Sequence, residues 1–394
     1  MASIDIKLVT VRKVAEIQAI PGADNIELAI VDGWQCVVKK GEFQPGQLGL
    51  YFEIDSAIPV SDTRFYFLDV KKKFKDQDVF VLKTKKLRGQ ISQGLLLPLS
   101  QFPELFIQKI LFGLLTFEID PEVLLRAGHS FDKQLGIEKY EKEEIVKEPD
   151  WTKSWLNILP KSWKTWIFNK IYRKIRKGKL ASTFPRFIPR TDEDRVQNVW
   201  QQVSKDKTKK YEVSIKLDGS SMTFWYYDDK FGFASRNQKL GIGDGSRWEQ
   251  VVLKYKLADN FSKFCQSLSR NLAFQGEMVG PNIQGNFENC EELEFYLFNI
   301  FDIDTQKYLT PEKRFEIFNK YNSEFPDQQL THVPIFDKEK DLSAFDDIKE
   351  ILEDSDGPGM NTKTKFREGK VYKALDGSLS FKVISNSYLL KRRD

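Results

Sequence analysis

The stretch YEVSIKLDGSS, residues 211–221, combines the pattern of a β-strand with a tight loop that presents a lysine. Up to Leu217, large apolar side chains occupy the odd positions and polar ones the even positions, which is the period of a half-buried strand. Lys216 therefore lies on the polar face. Asp218 and Gly219 follow at once and favour a turn, which holds the amine beside small hydrogen-bonding residues.

The composition argues against several other kinds of site. The chain has 394 residues, a net charge of +4, 2 histidines and 3 widely spaced cysteines. These counts disfavour a histidine-rich zinc site, a histidine-based triad and a disulfide scaffold. No apolar run reaches the length of a membrane span, and the N-terminus lacks the apolar core of a signal peptide. We therefore expect a soluble monomer without stable membrane association, in the cytoplasm or another reducing compartment.

Residues 1–105 have the pattern of a separate module. Short candidate strands, such as Ile26 to Val31 and Leu48 to Ile54, are divided by glycines. Closely spaced strands of mixed polarity are typical of a small β-barrel. The segment from Ile20 to Pro59 resembles OB-fold modules of the kind found in tRNA-binding domains, which implies a nucleic-acid-binding role.

Residues 106–190 differ in character and predict a helical insertion or linker. Between Lys161 and Arg190 basic side chains alternate with aromatic ones, and no acidic side chain occurs. Basic groups neutralise phosphates and aromatic rings stack on bases, so contact with nucleic acid is one interpretation. An amphipathic helix docked on the next domain and an anionic membrane surface are the alternatives. From residue 191 to 394, strand patterns and a few helices predict an α+β domain.

Polar residues recur at the ends of candidate strands on both sides of Lys216. A candidate hairpin would bring Arg236 back to the lysine loop. The relevant segments are TDEDRVQN at 191–198, SRN at 235–237, FQGE at 274–277, FYLFNIFD at 295–302, REGKVY at 367–372 and SFKVISN at 380–386.

The string Lys-x-Asp-Gly-Ser-Ser resembles motif I of the covalent nucleotidyltransferases, which include polynucleotide ligases and RNA capping enzymes. The later segments resemble the remaining motifs of this superfamily, in order. Because the OB-like module comes first and not after the last motif, the chain resembles the ATP-dependent RNA ligase family that has an N-terminal OB domain and seals nicks. In that chemistry an uncharged lysine attacks the α-phosphorus of ATP.

The resemblance implies a role for each of these residues. Lys216 would carry AMP, and Lys382 would assist at the α-phosphate. Glu368 would contact the divalent metal, Mg²⁺ or Mn²⁺. The residues expected to contact the nucleotide or the nucleic acid are Arg195, Asp218, Gly219, Arg236, Glu277, Phe298 and Lys382.

Three points stay open in the sequence. Phe301, which precedes Asp302, rivals Phe298 as the ring that stacks on the purine, because Asn299 replaces the aspartate that the family usually has there. The last motif normally has two lysines, and only Lys382 is present, so a second cation is missing or comes from elsewhere, such as Lys391. Burial, nearby cations or a metal must also hold the Lys216 amine neutral.

The predicted function is ATP-dependent sealing of 3′-OH and 5′-phosphate RNA ends, with nicked duplexes as the substrate that the resemblance implies. A ligase for single-stranded or tRNA breaks is an alternative within the same class. A catalytically inactive RNA-binding protein is the alternative from a different class.

Overall fold

The computed structural model describes residues 7–69, 71–105, 130–140, 160, 163, 183–243, 245–361 and 364–391. These residues form two compact units. One lies within residues 7–140, and the other comprises the described residues from 160 onward, apart from the short segments 347–349 and 389–391. Most of the helical insertion predicted for 106–190 lies outside the described residues.

The N-terminal unit is built from short antiparallel strands. Its three larger sheets have the strand orders β1-β5-β11, β2-β3-β4 and β12-β6-β8-β7, and β9 pairs with β10. The strands are β1 Val9–Lys13, β2 Glu16–Ala19, β3 Ile26–Val31, β4 Trp34–Lys39, β5 Leu48–Phe52, β6 Ser56–Pro59, β7 Lys71–Phe74, β8 Gln77–Val81, β9 Lys85–Leu87, β10 Gln90–Ser92, β11 Leu95–Pro98 and β12 Glu138–Lys139.

Alternation of side chains explains how such short strands enclose a core. In β4 the residues Trp34, Cys36 and Val38 are buried while their neighbours are not, as expected when one face of a strand packs inward. Residues 130–140 belong to this unit, since the Asp132 carboxylate accepts hydrogen bonds from the amides of Leu8 and Val9. Asp132 begins the short helix α1, Asp132–Leu135.

Two sheets form the C-terminal unit. The first has the order β13-β24-β23-β14-β22, and the second has the order β17-β16-β15-β18-β19-β20, with β21 paired to β19. Their strands are β13 Asp194–Arg195, β14 Tyr211–Lys216, β15 Ser220–Tyr227, β16 Lys230–Ala234, β17 Lys239–Leu240, β18 Leu272–Val279, β19 Glu294–Asp302, β20 Lys307–Tyr308, β21 Thr331–His332, β22 Ile335–Lys340, β23 Gly369–Ala374 and β24 Ser380–Ile384.

Helices cover one face of the second sheet. The helices of this unit are α2 Val196–Val203, α3 Arg247–Lys254, α4 Leu257–Leu268, α5 Pro311–Glu324, α6 Ile348–Asp354 and α7 Asn386–Lys391. Phe261 of α4 and Tyr321 of α5 pack on Phe224 and Phe274 of the sheet, in a cluster with little exposed surface. No helix in the described part of the chain is long and apolar enough to cross a membrane.

Apolar residues from both sheets also pack against each other. Ile215 and Leu217, which flank Lys216, lie in one buried cluster with Val279 and Tyr296 of the second sheet. Between residues 183 and 391 the fold is thus the predicted α+β arrangement. Of the polar side chains on β14, Lys216 is partly exposed, whereas Glu212 and Ser214 are 2% and 3% exposed.

Candidate active site

Lys216 stands at the last position of β14, before a three-residue loop that leads into β15. The loop passes so close to β18 that a Cβ atom added to Gly219 would lie 2.7 Å from Cγ of Glu277 and would also collide with the carbonyl oxygen of Met278. Glycine is therefore required for this approach. It brings the loop after Lys216 into contact with Glu277.

Glu368 meets the lysine from the neighbouring strand. Lys216 pairs with Gly369 in the antiparallel register of β14 and β23. Gly369 has a φ of 156° and no space for a Cβ atom, so glycine fits here. The Glu368 carboxylate accepts a hydrogen bond from Lys216 Nζ at 2.8 Å, and the two side chains are 13% and 24% exposed.

The charge state of Lys216 depends on opposing effects. Burial lowers the pKa of its amine, but the carboxylates of Glu368 and Glu277 outweigh burial and leave this pKa above the ordinary lysine value. A lysine whose pKa is raised is protonated at neutral pH. Burial alone, one of the causes considered for a neutral amine, is therefore insufficient in this arrangement.

The acidic groups around Lys216 repel one another, and a divalent cation would favour their charged forms. Burial, with Glu368 and Asp218 adding to it, raises the pKa of Glu277 to about 8 although Lys216 opposes the shift. Among the described residues, no three acidic, cysteine or histidine side chains are grouped closely enough to hold a metal by themselves. One or two of these carboxylates would hold Mg²⁺ or Mn²⁺ together with triphosphate oxygens, since magnesium is commonly bound by one or two carboxylates plus substrate phosphates.

A group of cations lies beside the lysine. Arg195 of β13 pairs with Lys382 of β24 in the parallel register, so both side chains project from the same face of the sheet. Asp192 connects this group to Arg236: one carboxylate oxygen lies 3.0 Å from Lys382 Nζ and the other 2.8 Å from an Arg236 nitrogen. The cation adjacent to Lys382 is thus Arg195, whereas Lys391 lies on α7 at its last residue.

The Asp218 carboxylate is buried and already has a donor. The Tyr388 hydroxyl donates to it at 2.7 Å, and the Asp218 amide donates to Glu288 Oε1 at 3.3 Å. Glu288 is 1% exposed, and burial raises the pKa of its carboxyl to about 7. These two hydrogen bonds hold the loop after Lys216 in position.

Phe298 and Phe301 occupy different environments on β19. Phe298 is half-buried and packs against the cluster that contains Ile215. Phe301 is 3% exposed and packs edge-to-face on Tyr308 in a separate cluster. Because the pairing of β18 with β19 shifts register at this point, no residue of β18 lies directly opposite Phe298. Phe298 is the ring of the two that a base could reach without rearrangement of the core.

Four residues of this site were not predicted from the sequence. They are Asp192, Glu288, Tyr388 and Lys373, whose ammonium donates to the carbonyl oxygen of Phe298 at 2.7 Å. Asp192 lies in the quoted string 191–198, but no local pattern indicates that it bridges Lys382 and Arg236. The others reach the site through contacts between distant parts of the chain, for which a single sequence gives no signal.

Comparisons with known proteins found matches in both parts of the chain. A family profile described as RNA ligase matches residues 209–384, and one described as an OB-fold domain matches residues 8–99. The comparison with curated protein sequences gives no significant match.

Solved structures of the RNA ligase of Naegleria gruberi cover nearly the whole chain. A variant with AMP and manganese is 37% identical, with a TM-score of 0.75 and coverage of 98% of this chain and 99% of the other. A variant with ATP and manganese has the same identity and coverages, with a TM-score of 0.74. The complex with pyrophosphate gives 37% identity and a TM-score of 0.73, again with 98% and 99% coverage. The chain therefore belongs to the ATP-dependent RNA ligases that carry an N-terminal OB-fold domain.

Proposed function

We propose that this ligase seals 3′-OH and 5′-phosphate RNA ends through an AMP group carried on Lys216, with nicked duplexes as its substrate. The observation that carries the proposal is the position of Lys216. Lys216 stands at the end of a strand, and Gly219 allows the loop after it to approach Glu277. Its amine lies 2.8 Å from Glu368 and is close enough to Lys382 to help lower the pKa of that residue. A lysine among carboxylates and cations suits attack on a metal-bound triphosphate.

The reaction takes three steps in one pocket. The Lys216 amine loses a proton and attacks the α-phosphorus of ATP, so that a phosphorus–nitrogen bond forms and pyrophosphate leaves. A 5′-phosphate oxygen of RNA then attacks the same phosphorus, which breaks that bond and returns the lysine. In the last step the 3′-hydroxyl attacks the RNA phosphate, AMP leaves and the phosphodiester is complete.

Cations on the sheet face would bind the phosphates. Burial, together with the charges of Lys216 and Arg195, lowers the pKa of Lys382 in spite of Asp192. An ammonium in such surroundings gains from a phosphate oxygen as a neighbour. We propose that Lys382 and Arg195 together serve as the two cations that the last motif normally supplies as a pair of lysines.

Carboxylates and an aromatic ring would hold the rest of the nucleotide. Glu368 is proposed as the metal contact and Glu277 as the ribose contact, while Asp218 and Gly219 shape the loop. Phe298 would stack on the purine, since it is half-exposed and Phe301 is not. When bound, the metal supplies positive charge at the triphosphate oxygens and to the surrounding carboxylates.

The test of the covalent step is labelling with ATP that carries a radioactive α-phosphate. Lys216→Ala is expected to abolish AMP transfer to the protein. Lys210→Ala is the matched control, because Lys210 precedes the same strand but is exposed and paired with Asp341. Acid-labile AMP retained on Lys216→Ala would contradict the proposal.

The choice of substrate requires RNA. A nicked duplex with a 3′-hydroxyl and a 5′-phosphate should be sealed faster than a single strand or a broken tRNA stem-loop of the same sequence. Equal or faster sealing of the single strand would favour the alternative ligase substrates. Absence of both labelling and sealing would favour an inactive RNA-binding protein.

A further inference from the structure

The junction between β24 and α7 contacts both segments that frame Lys216. The Ser385 amide donates to the carbonyl oxygen of Glu368 at 2.9 Å, so the junction is attached to the residue whose carboxylate meets the lysine amine. The Tyr388 hydroxyl donates to the Asp218 carboxylate at 2.7 Å, in the loop that follows the lysine. One short stretch of chain is therefore bonded to the Glu368 segment and to the loop after Lys216.

Asp356 fixes this junction. Its carboxylate accepts hydrogen bonds from the Ser385 hydroxyl and from the amide and hydroxyl of Ser387, the last two at 3.3 and 2.8 Å. The Ser385 hydroxyl oxygen also accepts from the Tyr388 amide at 3.0 Å, which caps the first turn of α7. These hydrogen bonds leave the backbone of Tyr388 little freedom, so the direction of its side chain is well defined.

The phenol of Tyr388 is held equally firmly. Tyr388 is 1% exposed, and its ring packs edge-to-face with Phe287, with 4.9 Å between the ring centroids. Its partner Asp218 is also buried, at 7% exposed. A buried carboxylate that loses a donor gains by turning to another donor nearby. Lys216 offers such a donor, since the negative charge of Asp218 is close enough to act on its amine.

We propose that Tyr388 is a positioning residue for the first step of the reaction, whose hydroxyl holds Asp218 so that the Lys216 amine stays directed at the α-phosphorus of ATP. The proposal rests on the proposed function, since it takes Lys216 as the nucleophile. Without the hydroxyl, the Asp218 carboxylate can turn to the lysine and draw its amine away from the reacting atom. A displacement on the order of 1 Å can slow a reaction by about a hundredfold.

The last step of sealing makes a different demand on the site. There the RNA 3′-hydroxyl is the nucleophile, and AMP is already bonded to the RNA, so Lys216 forms no bond. A residue that acts through the position of Lys216 should affect AMP transfer to the protein and spare the sealing of RNA that already carries AMP. A residue that only supports the fold of the site should affect both reactions.

Tyr388→Phe tests this distinction, because it removes the hydroxyl and keeps the ring that packs on Phe287. The maximal rate of self-adenylylation should fall about tenfold or more, while the half-saturating ATP concentration stays within about twofold of the wild type. Preadenylated RNA of the kind that the wild type seals should be sealed within about twofold of the wild-type rate. Thermal unfolding of the variant should remain cooperative.

Tyr372→Phe is the matched control. Tyr372 is also 1% exposed, and its hydroxyl donates to an aspartate, Asp354, at 3.1 Å. Its neighbour Val371 stands opposite Lys382, and successive side chains of a strand alternate, so Tyr372 projects from the other face of the sheet. Loss of this buried hydroxyl should leave both self-adenylylation and the sealing of preadenylated RNA at wild-type rates.

Four results would overturn the proposal. Self-adenylylation at the wild-type rate in Tyr388→Phe would show that the hydroxyl does not position the lysine. An equal loss of both reactions would show that Tyr388 only supports the fold, and a higher half-saturating ATP concentration at an unchanged maximal rate would assign it to ATP binding. The same pattern in Tyr372→Phe would show that the effect is not specific to Asp218. Failure of ATP to label the wild type would instead refute the proposed function itself.

Discussion

Replacement of Asp192 by asparagine tests whether this carboxylate binds the cations that a phosphate of the nucleotide would otherwise bind. Its two oxygens lie 3.0 Å from Lys382 and 2.8 Å from Arg236, which are both expected to contact the nucleotide. A triphosphate that binds these cations must compete with Asp192 or share them with it. Asp192→Asn removes the competing charge and keeps the shape of the side chain. We therefore expect it to bind polyphosphate more tightly.

The size of the effect follows from exposure. The Lys382 side chain is 19% exposed and that of Arg236 is 47% exposed, so water screens both ion pairs in part. Partly exposed pairs of this kind contribute about 0.5–1 kcal/mol each. Their combined loss, about 1–2 kcal/mol, should appear as roughly five- to thirtyfold tighter binding. The variant should lose a similar amount of folding free energy.

Calorimetry with pyrophosphate in the absence of metal measures this competition directly. Asp228→Asn is the control for removal of one negative charge, because Asp228 is exposed in a turn and pairs only loosely with Lys230. The gain in affinity should shrink as salt is added, since it is electrostatic. Weaker binding by Asp192→Asn would refute the reasoning and show that the carboxylate instead positions the cations.

Three further predictions concern other parts of the chain. Glu277→Ala and Glu368→Ala should each abolish sealing yet melt cooperatively near the wild-type temperature, and sealing at the wild-type rate by either variant would remove that residue from the site. Burial lowers the pKa of His332 to about 3. Between pH 6.5 and 5 the unfolded chain therefore takes up a proton that the folded protein excludes, and the free energy of unfolding should fall by roughly 1–2 kcal/mol. Denaturant titrations should show this loss in His129→Gln and less of it in His332→Gln, and equal slopes of the unfolding free energy against pH would contradict the assignment. Replacement of the exposed lysines 71–73 by glutamine should spare self-adenylylation but lower the salt dependence of nick binding by up to about three released counterions, whereas an unchanged slope would mean that these lysines are merely solvated.

The sequence predicts those parts of the site that depend on residues close to one another along the chain. The strand over 211–216 follows from alternation, and the loop after Lys216 follows from glycine and small polar residues. These features depend on neighbours along the chain. The segment that contains Glu368 was recognised for the same reason, as a glutamate and a glycine that enter a strand.

Contacts between distant segments were beyond prediction. Asp192 meets Lys382 across 190 positions, and Tyr388 meets Asp218 across 170. No periodicity encodes which carboxylate faces which cation once the strands are ordered in a sheet. The choice between Phe298 and Phe301 has the same origin, because both lie in one apolar run and only packing distinguishes the half-exposed ring from the buried one.

The charge balance around Lys216 has a consequence for the order of events. Its amine is protonated while Glu368 and Glu277 face it without a cation, because their attraction exceeds the effect of burial. Positive charge that reaches those carboxylates weakens their hold on the ammonium, and burial then favours the neutral amine. A divalent metal held by one or two carboxylates together with the triphosphate would supply such charge. The neutral amine that attacks ATP is therefore favoured when the metal and ATP occupy the site.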